Sequence, residues 1–138
     1  IPLQRIAYNA IPSVVYTNPE IACVGLTEKD LCEIHEGDFA PSMSTDEPFV
    51  PYEVHQLPMT YSGRFVAENE GEMGLCKVIV DKRSKAIMGV HMIGNPCSEF
   101  VAAASFAVRM GYTVAEFKQV VFPHPTVAEV LRETIAEL

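Results

Sequence analysis

Hydrophobic and polar positions follow a short, strand-like rhythm over the first two thirds of the chain and a helical one over the last third. Ser13-Val14-Val15-Tyr16-Thr17 is short and β-branched and predicts a strand, which Asn18-Pro19 ends. Ala22 to Leu26 predicts a second extended piece. Thr27 stands at an N-cap position with acids in the turn after it, so a helix is predicted from Glu28 to about His35, stopped by Gly37. Pro41, Pro48 and Pro51, with Ser42, Ser44 and Asp46, make 38–51 a loop, long for a compact domain. Tyr52 to Thr60 and Arg64 to Glu68 read as β-like, with Ser62-Gly63 between them and a turn at Asn69 to Glu72. The clearest signal is a hairpin. Leu75 to Val80 and Ala86 to Ile93 are apolar, β-prone runs, and Asp81-Lys82-Arg83-Ser84-Lys85 is the polar turn between them.

From Asn95 the period lengthens. Asn95 is the expected cap and Pro96 the first position of a helix running to about Met110, where Gly111 stops it. Between Phe100 and Met110 the only charge is Arg109. A helix apolar on nearly all sides is expected to be buried on nearly all sides, which in a domain this small points to a partner surface. Thr113-Val114-Ala115-Glu116 opens a short helix with a capping-box pattern. The last helix is predicted to start near Thr126, with Val127, Val130, Leu131, Thr134, Ile135 and Leu138 on one stripe and Glu129, Glu133 and Glu137 off it. Strands first and helices after predict an α+β domain with a mostly antiparallel sheet packed against helices.

Composition narrows the functions open to such a domain. The chain has 138 residues, 49% of them hydrophobic and 20% charged, which suits one globular domain. A net charge of −8 disfavours nucleic acid as a partner, and no apolar run is long enough to predict a membrane span. Ile1-Pro2-Leu3-Gln4-Arg5 does not read as a signal peptide, and the missing initiator Met suggests a fragment or a trimmed chain. Cys23, Cys32, Cys76 and Cys97 form no CxxC pair and no zinc-finger spacing, so four reduced, mostly buried thiols in a cytoplasmic protein are expected, and no metal site. The glycines never form GxGxxG, so no phosphate-cradling loop is expected within the chain.

The segment Phe122-Pro123-His124-Pro125-Thr126-Val127-Ala128-Glu129 carries the chemistry. Two prolines flank His124 and stiffen the backbone that presents its imidazole, a group that exchanges protons near neutral pH. Glu129 lies about one helical turn past the His-Pro step. One reading pairs it with His124, fixing the tautomer and stabilising the imidazolium. The other makes Glu129 the acid of a T-x-x-E capping box begun by Thr126, since the same string at Thr113 to Glu116 has no His-Pro ahead of it. His35 and His55 read as solvated residues of polar or loop contexts, and His91 as a packed strand residue.

His124-Pro125-Thr126 with Glu129 resembles the C-terminal signature of the dihydrolipoamide dehydrogenase-like pyridine nucleotide-disulfide oxidoreductases. Three further stretches resemble their dimerisation domain in the same order: Val15 to Ala22 with Val24-Gly25-Leu26-Thr27-Glu28, Gly63-Arg64-Phe65 with Glu68 and Gly71, and the hairpin with Gly89-Val90-His91 and Ile93-Gly94. The matches cover nearly the whole chain; the stretch from about Gly37 to Pro51 looks longer than the family's linker and reads as an insertion. The resemblance implies that residues 1–138 are a C-terminal dimerisation domain and that FAD and NAD domains, one carrying the redox disulfide, lie upstream. It implies a homodimer in which His124 serves the partner subunit's active site as acid–base catalyst and Glu129 orients it, with Pro125 a cis-proline beside Thr126. The implied reaction of the complete enzyme is dihydrolipoamide + NAD+ to lipoamide + NADH; the fragment alone is expected to be inactive and to bind neither cofactor. Alternatives are the same domain of a glutathione reductase-like enzyme acting on another disulfide, a free-standing dimerisation module in which Glu129 is only a cap, and a metal-binding protein, for which no ligand cluster is seen.

Overall fold

The computed structural model describes residues 6–36 and 52–138. The loop expected over 38–51, the stop at Gly37 and the side chain of His35 lie outside the described residues. Five strands form one antiparallel sheet: β1 (Ser13–Val15), β2 (Ile21–Gly25), β3 (Tyr52–Pro58), β4 (Leu75–Asp81) and β5 (Ile87–Ile93), in the spatial order β1-β2-β5-β4-β3. Among the described residues five α-helices accompany them, α1 (Glu28–Glu36), α2 (Gly63–Glu68), α3 (Cys97–Met110), α4 (Val114–Phe117) and α5 (Glu129–Ala136), with short 3-10 helices at Tyr8–Ala10 and Met59–Tyr61. The expected α+β class, with a mostly antiparallel sheet, is the observed one.

Register decides which face of the sheet is core. Cys76 pairs with Met92 and Val78 with Val90, while Ala22 and Val24 of β2 meet the same two β5 residues from the other side. These residues point to one face and are 3% exposed or less, covered by α3 over β2 and β5 and by α5 over β3 and β4. The expected stripe on α5 is the buried one: Val130, Leu131, Thr134 and Ile135 are all at 0% exposure. The alternate residues Lys77, Ile79 and His91 point to the opposite face, where α1 is tied down by a 2.7 Å ion pair between Lys77 and Glu28. Gly25 and Gly89 face each other across β2 and β5, and a Cβ on Gly89 would overlap the Leu26 carbonyl oxygen. That close approach lets His91 Nε2 bond the same oxygen at 2.9 Å.

Four expectations need correction. Arg64 to Glu68 is helical, not β-like. Ser62 caps α2 by accepting from the Phe65 N–H, and Arg64 and Glu68 pair one turn apart, which only a helix permits. Asn95 does not cap α3. Its side chain accepts from the Glu20 N–H at 2.9 Å and donates to Asn18, and the Glu20 carboxylate accepts from the Ser98 N–H instead. His55 lies within β3 and is half-buried, its Nε2 enclosed without a hydrogen-bond partner among the described residues. The cysteines are all free, but only Cys76 and Cys97 are buried; Cys23 is half-buried and Cys32 exposed.

Helix α3 divides the expectation made of it. Phe100, Val101, Ala104, Ala107 and Val108 are buried, and Gly111 ends the helix in the left-handed region at φ 66°. Phe106 and Met110 on its other face are 69% and 62% exposed. With Ile6, Ala10, Ile11 and Arg109, Phe106 lines an open groove of about 700 Å³.

Candidate functional site

Helix α4 and the segment after it bring the chain to the site. Thr113 and Glu116 form a full capping box at the start of α4: the Thr113 hydroxyl accepts from the Glu116 N–H while the Glu116 carboxylate accepts from the Thr113 N–H at 2.8 Å. Phe117 at the end of α4 is 3% exposed, and its ring lies 5.9 Å from that of Phe122. The chain then continues as an irregular segment. Among the described residues, no backbone–backbone hydrogen bond begins or ends between residues 121 and 126. Side chains hold the segment instead.

Glu129, the first residue of α5, serves both readings at once. Its Oε1 meets His124 Nδ1 at 2.8 Å, and its Oε2 accepts from the Thr126 N–H at 2.8 Å. The capping box is only half made, because the Thr126 hydroxyl donates to the Pro123 carbonyl at 2.8 Å and does not accept from the helix. For that reason α5 begins at Glu129 and not near Thr126. The His124–Pro125 peptide is cis.

The electrostatics follow from these contacts. The Thr126 amide, ahead of the His124 hydrogen bond, holds the Glu129 carboxyl below the usual carboxylate range against some desolvation by burial. Glu129 is therefore an anion at neutral pH, with Nδ1–H of the imidazole donating to it. The ring nitrogen free for proton exchange is Nε2, and the His124 side chain is 81% exposed while that of Glu129 is 23% exposed. Such an arrangement accepts a proton on Nε2 and stabilises the imidazolium that results.

The other candidate residues lie elsewhere. His91 is a strand residue bonded to Leu26, as its place in the apolar run suggests, and His55 sits in β3. Among the described residues no group of three or more His, Cys, Asp or Glu side chains converges as a metal site would require. Sequence reasoning missed Ser62. Its hydroxyl donates to the Thr126 carbonyl at 2.9 Å, a contact between residues 64 positions apart that no local pattern announces.

Comparison with known proteins bears on the family and the fold. The model of the pyridine nucleotide-disulphide oxidoreductase dimerisation domain matches residues 11–135. A mitochondrial dihydrolipoyl dehydrogenase from Caenorhabditis elegans is 37% identical over 129 residues, which is 94% of this chain and 23% of that protein. A dihydrolipoyl dehydrogenase from Haloferax volcanii is 34% identical over 124 residues, again 23% of its own length. Among solved structures, LpdA from Mycobacterium tuberculosis superposes with a TM-score of 0.77 at 22% identity, covering 97% of this chain and 26% of that one. The chain thus spans about a quarter of the length of the relatives it matches, and it belongs to the dimerisation-domain family of the pyridine nucleotide-disulphide oxidoreductases.

Proposed function

We propose that these 138 residues are the dimerisation domain of a dihydrolipoamide dehydrogenase and that His124, oriented by Glu129, is the acid–base catalyst its active site receives from the partner subunit. The observation that carries the reading is the 2.8 Å contact between His124 Nδ1 and Glu129, presented from a side-chain-held loop at the start of α5. His124 Nε2 takes the proton from one thiol of the substrate dithiol, and Glu129 compensates the positive charge that forms. The thiolate, the nucleophilic form, then attacks one sulfur of a redox disulfide carried by an upstream domain, breaking that S–S bond to form a mixed disulfide. The second substrate thiol displaces it, closing the substrate disulfide and leaving the upstream pair reduced. FAD and NAD, bound by upstream domains, supply removal of the electron pair as a hydride equivalent; the chain itself carries no GxGxxG fingerprint for either. Relatives named dihydrolipoyl dehydrogenase support the dithiol substrate over glutathione.

The exposed apolar face of α3, at Phe106 and Met110, supports self-association. Stable obligate interfaces bury on the order of 2,000 Å² or more, so a dimer is expected at micromolar concentration. Sedimentation of monomer alone at high concentration would count against it. The free thiols suit a reducing compartment, cytoplasmic in this reading.

The test is His124→Gln in the complete protein, assayed by NADH formation from dihydrolipoamide and NAD+. Loss of most turnover with flavin still bound is the expected outcome. Full turnover in the variant refutes the assignment of His124.

A further inference from the structure

We infer that Ser62 is a positioning residue for the His124–Glu129 pair, tying the loop that presents His124 to the rigid body of the domain through the Thr126 carbonyl. The inference rests on the proposed role of His124. Three observations carry it. Residues 121–126 take part in no backbone–backbone hydrogen bond among the described residues. The side-chain bonds within the segment, from His124 and Thr126 to Glu129 and from Thr126 to Pro123, are all local. The Ser62 hydroxyl bond to Thr126 at 2.9 Å is the one described hydrogen bond that links the segment to a distant part of the fold.

Ser62 is itself well anchored. It is 6% exposed, it caps α2 through the Phe65 N–H at 3.2 Å, and its own N–H donates to the Met59 carbonyl. Phe65 and Met59 are both at 0% exposure, packed beside Gly94 at the end of β5. The hydroxyl therefore spans from core to loop. Its acceptor, the Thr126 carbonyl, belongs to the residue whose N–H holds Glu129 Oε2. Releasing the carbonyl frees Thr126 to rotate. That loosens the amide contact to Glu129, and with it the geometry in which Oε1 meets His124.

The test uses the complete flavoprotein with Ser62→Gly, Ser62→Ala and Ser62→Thr. Glycine is close to serine as an N-cap but has no hydroxyl to donate; alanine deletes the same donor without loosening the backbone; threonine keeps it. Turnover is measured across pH, and the Glu129 carboxyl is titrated by carbon-detected NMR, a readout independent of activity. The groups around that carboxylate are His124, Arg132 and the Thr126 amide. Glycine and alanine are expected to lower kcat by about tenfold, with KM within about twofold, the size of one lost hydrogen bond. They are also expected to move the Glu129 titration up toward the ordinary glutamate range, while threonine restores both. Wild-type kcat with an unmoved Glu129 titration in the glycine and alanine variants overturns the inference. So does equal damage in all three variants, which would assign the effect to packing. His124→Gln is run alongside: if it leaves turnover intact, the proposed catalytic role fails, and Ser62 is then judged on the titration alone.

Discussion

The substitution Glu129→Gln removes the charge of that side chain while keeping its shape, and so separates its two roles. The amide carbonyl oxygen of the variant can still accept from the Thr126 N–H, now 2.8 Å from Oε2, so that contact into the loop ahead of α5 is kept. The amide nitrogen then faces His124 Nδ1, now 2.8 Å from Oε1, and it donates where the carboxylate accepted. Nδ1 must accept in turn, which leaves the proton on Nε2 and spoils that nitrogen as a base. The lost charge adds to this. At a separation of about 4 Å, an imidazolium and a carboxylate attract by about 1 kcal/mol in water and about 4 kcal/mol at an effective dielectric constant of about 20. In the single chain the His124 side chain is 81% exposed, so solvent screening puts the pair near the low end. A partner subunit that covers the ring moves it upward. Between these limits kcat is expected to fall by about fivefold to several hundredfold, at about 1.4 kcal/mol per tenfold. The assay is NADH formation from dihydrolipoamide by the complete enzyme, with a denaturant melt beside it. The melt is expected to shift little in Glu129→Gln and by about 1 kcal/mol in Glu129→Ala, which also loses the hydrogen bond from the Thr126 N–H. Turnover of Glu129→Gln within about twofold of wild type, less than one lost hydrogen bond, would refute the functional pairing and leave Glu129 as an anchor for Thr126 alone.

Acid should weaken the domain through carboxylates that hold backbone N–H groups. Thr27 holds the Asp30 carboxyl below its ordinary range, as Thr113 does for Glu116 and Thr126 for Glu129. Depressed carboxylates contribute stability that is full above the ordinary carboxylate range and is lost as pH falls through the folded-state values, so the urea midpoint should drop below about pH 4 and stay level from about pH 6 to 8; a midpoint unchanged in strong acid would refute this. Burial pushes the Cys76 thiol up to about 12 and the Cys97 thiol up to about 11, so iodoacetamide at neutral pH should label exposed Cys32 first and leave Cys76 and Cys97 until the protein is unfolded, as read by mass spectrometry. Gly89→Ala should cost about 2–3 kcal/mol in a denaturant melt, because its Cβ would overlap the Leu26 backbone oxygen, which cannot turn aside. Gly63→Ala, with nothing within 4 Å of its Cβ, should change the midpoint by less than about 0.5 kcal/mol, and equal losses at both glycines would refute the steric account.

What the sequence determined by itself was the structure set by neighbours. The hairpin around Asp81 to Lys85, the Thr113–Glu116 box, the left-handed stop at Gly111 and the buried stripe of α5 all depend on residues within a few positions of one another, so composition and period expose them. His124 and Glu129 were legible for the same reason, being five positions apart at a proline-flanked turn. The helix at Gly63 to Glu68 was legible in principle through the Arg64–Glu68 spacing, but a six-residue helix offers too few periods to outweigh its β-prone residues. Only the tertiary structure decided the rest. The order β1-β2-β5-β4-β3 sets β2 beside a strand more than sixty residues away, and only this pairing brings Gly25 against Gly89. Asn95 has the chemistry of a cap, yet it bonds Glu20 and Asn18 because the folded sheet brings them within reach, and the Glu20 carboxylate takes the helix end instead. Which contacts Glu129 makes needed coordinates, since a carboxylate has two oxygens and the local pattern cannot say that one meets His124 and the other the Thr126 N–H. Ser62 depends wholly on closure of the fold. Its hydroxyl meets the Thr126 carbonyl only after the sheet and α5 have packed, so the loop that presents His124 is held by a residue that its own sequence neighbourhood does not contain.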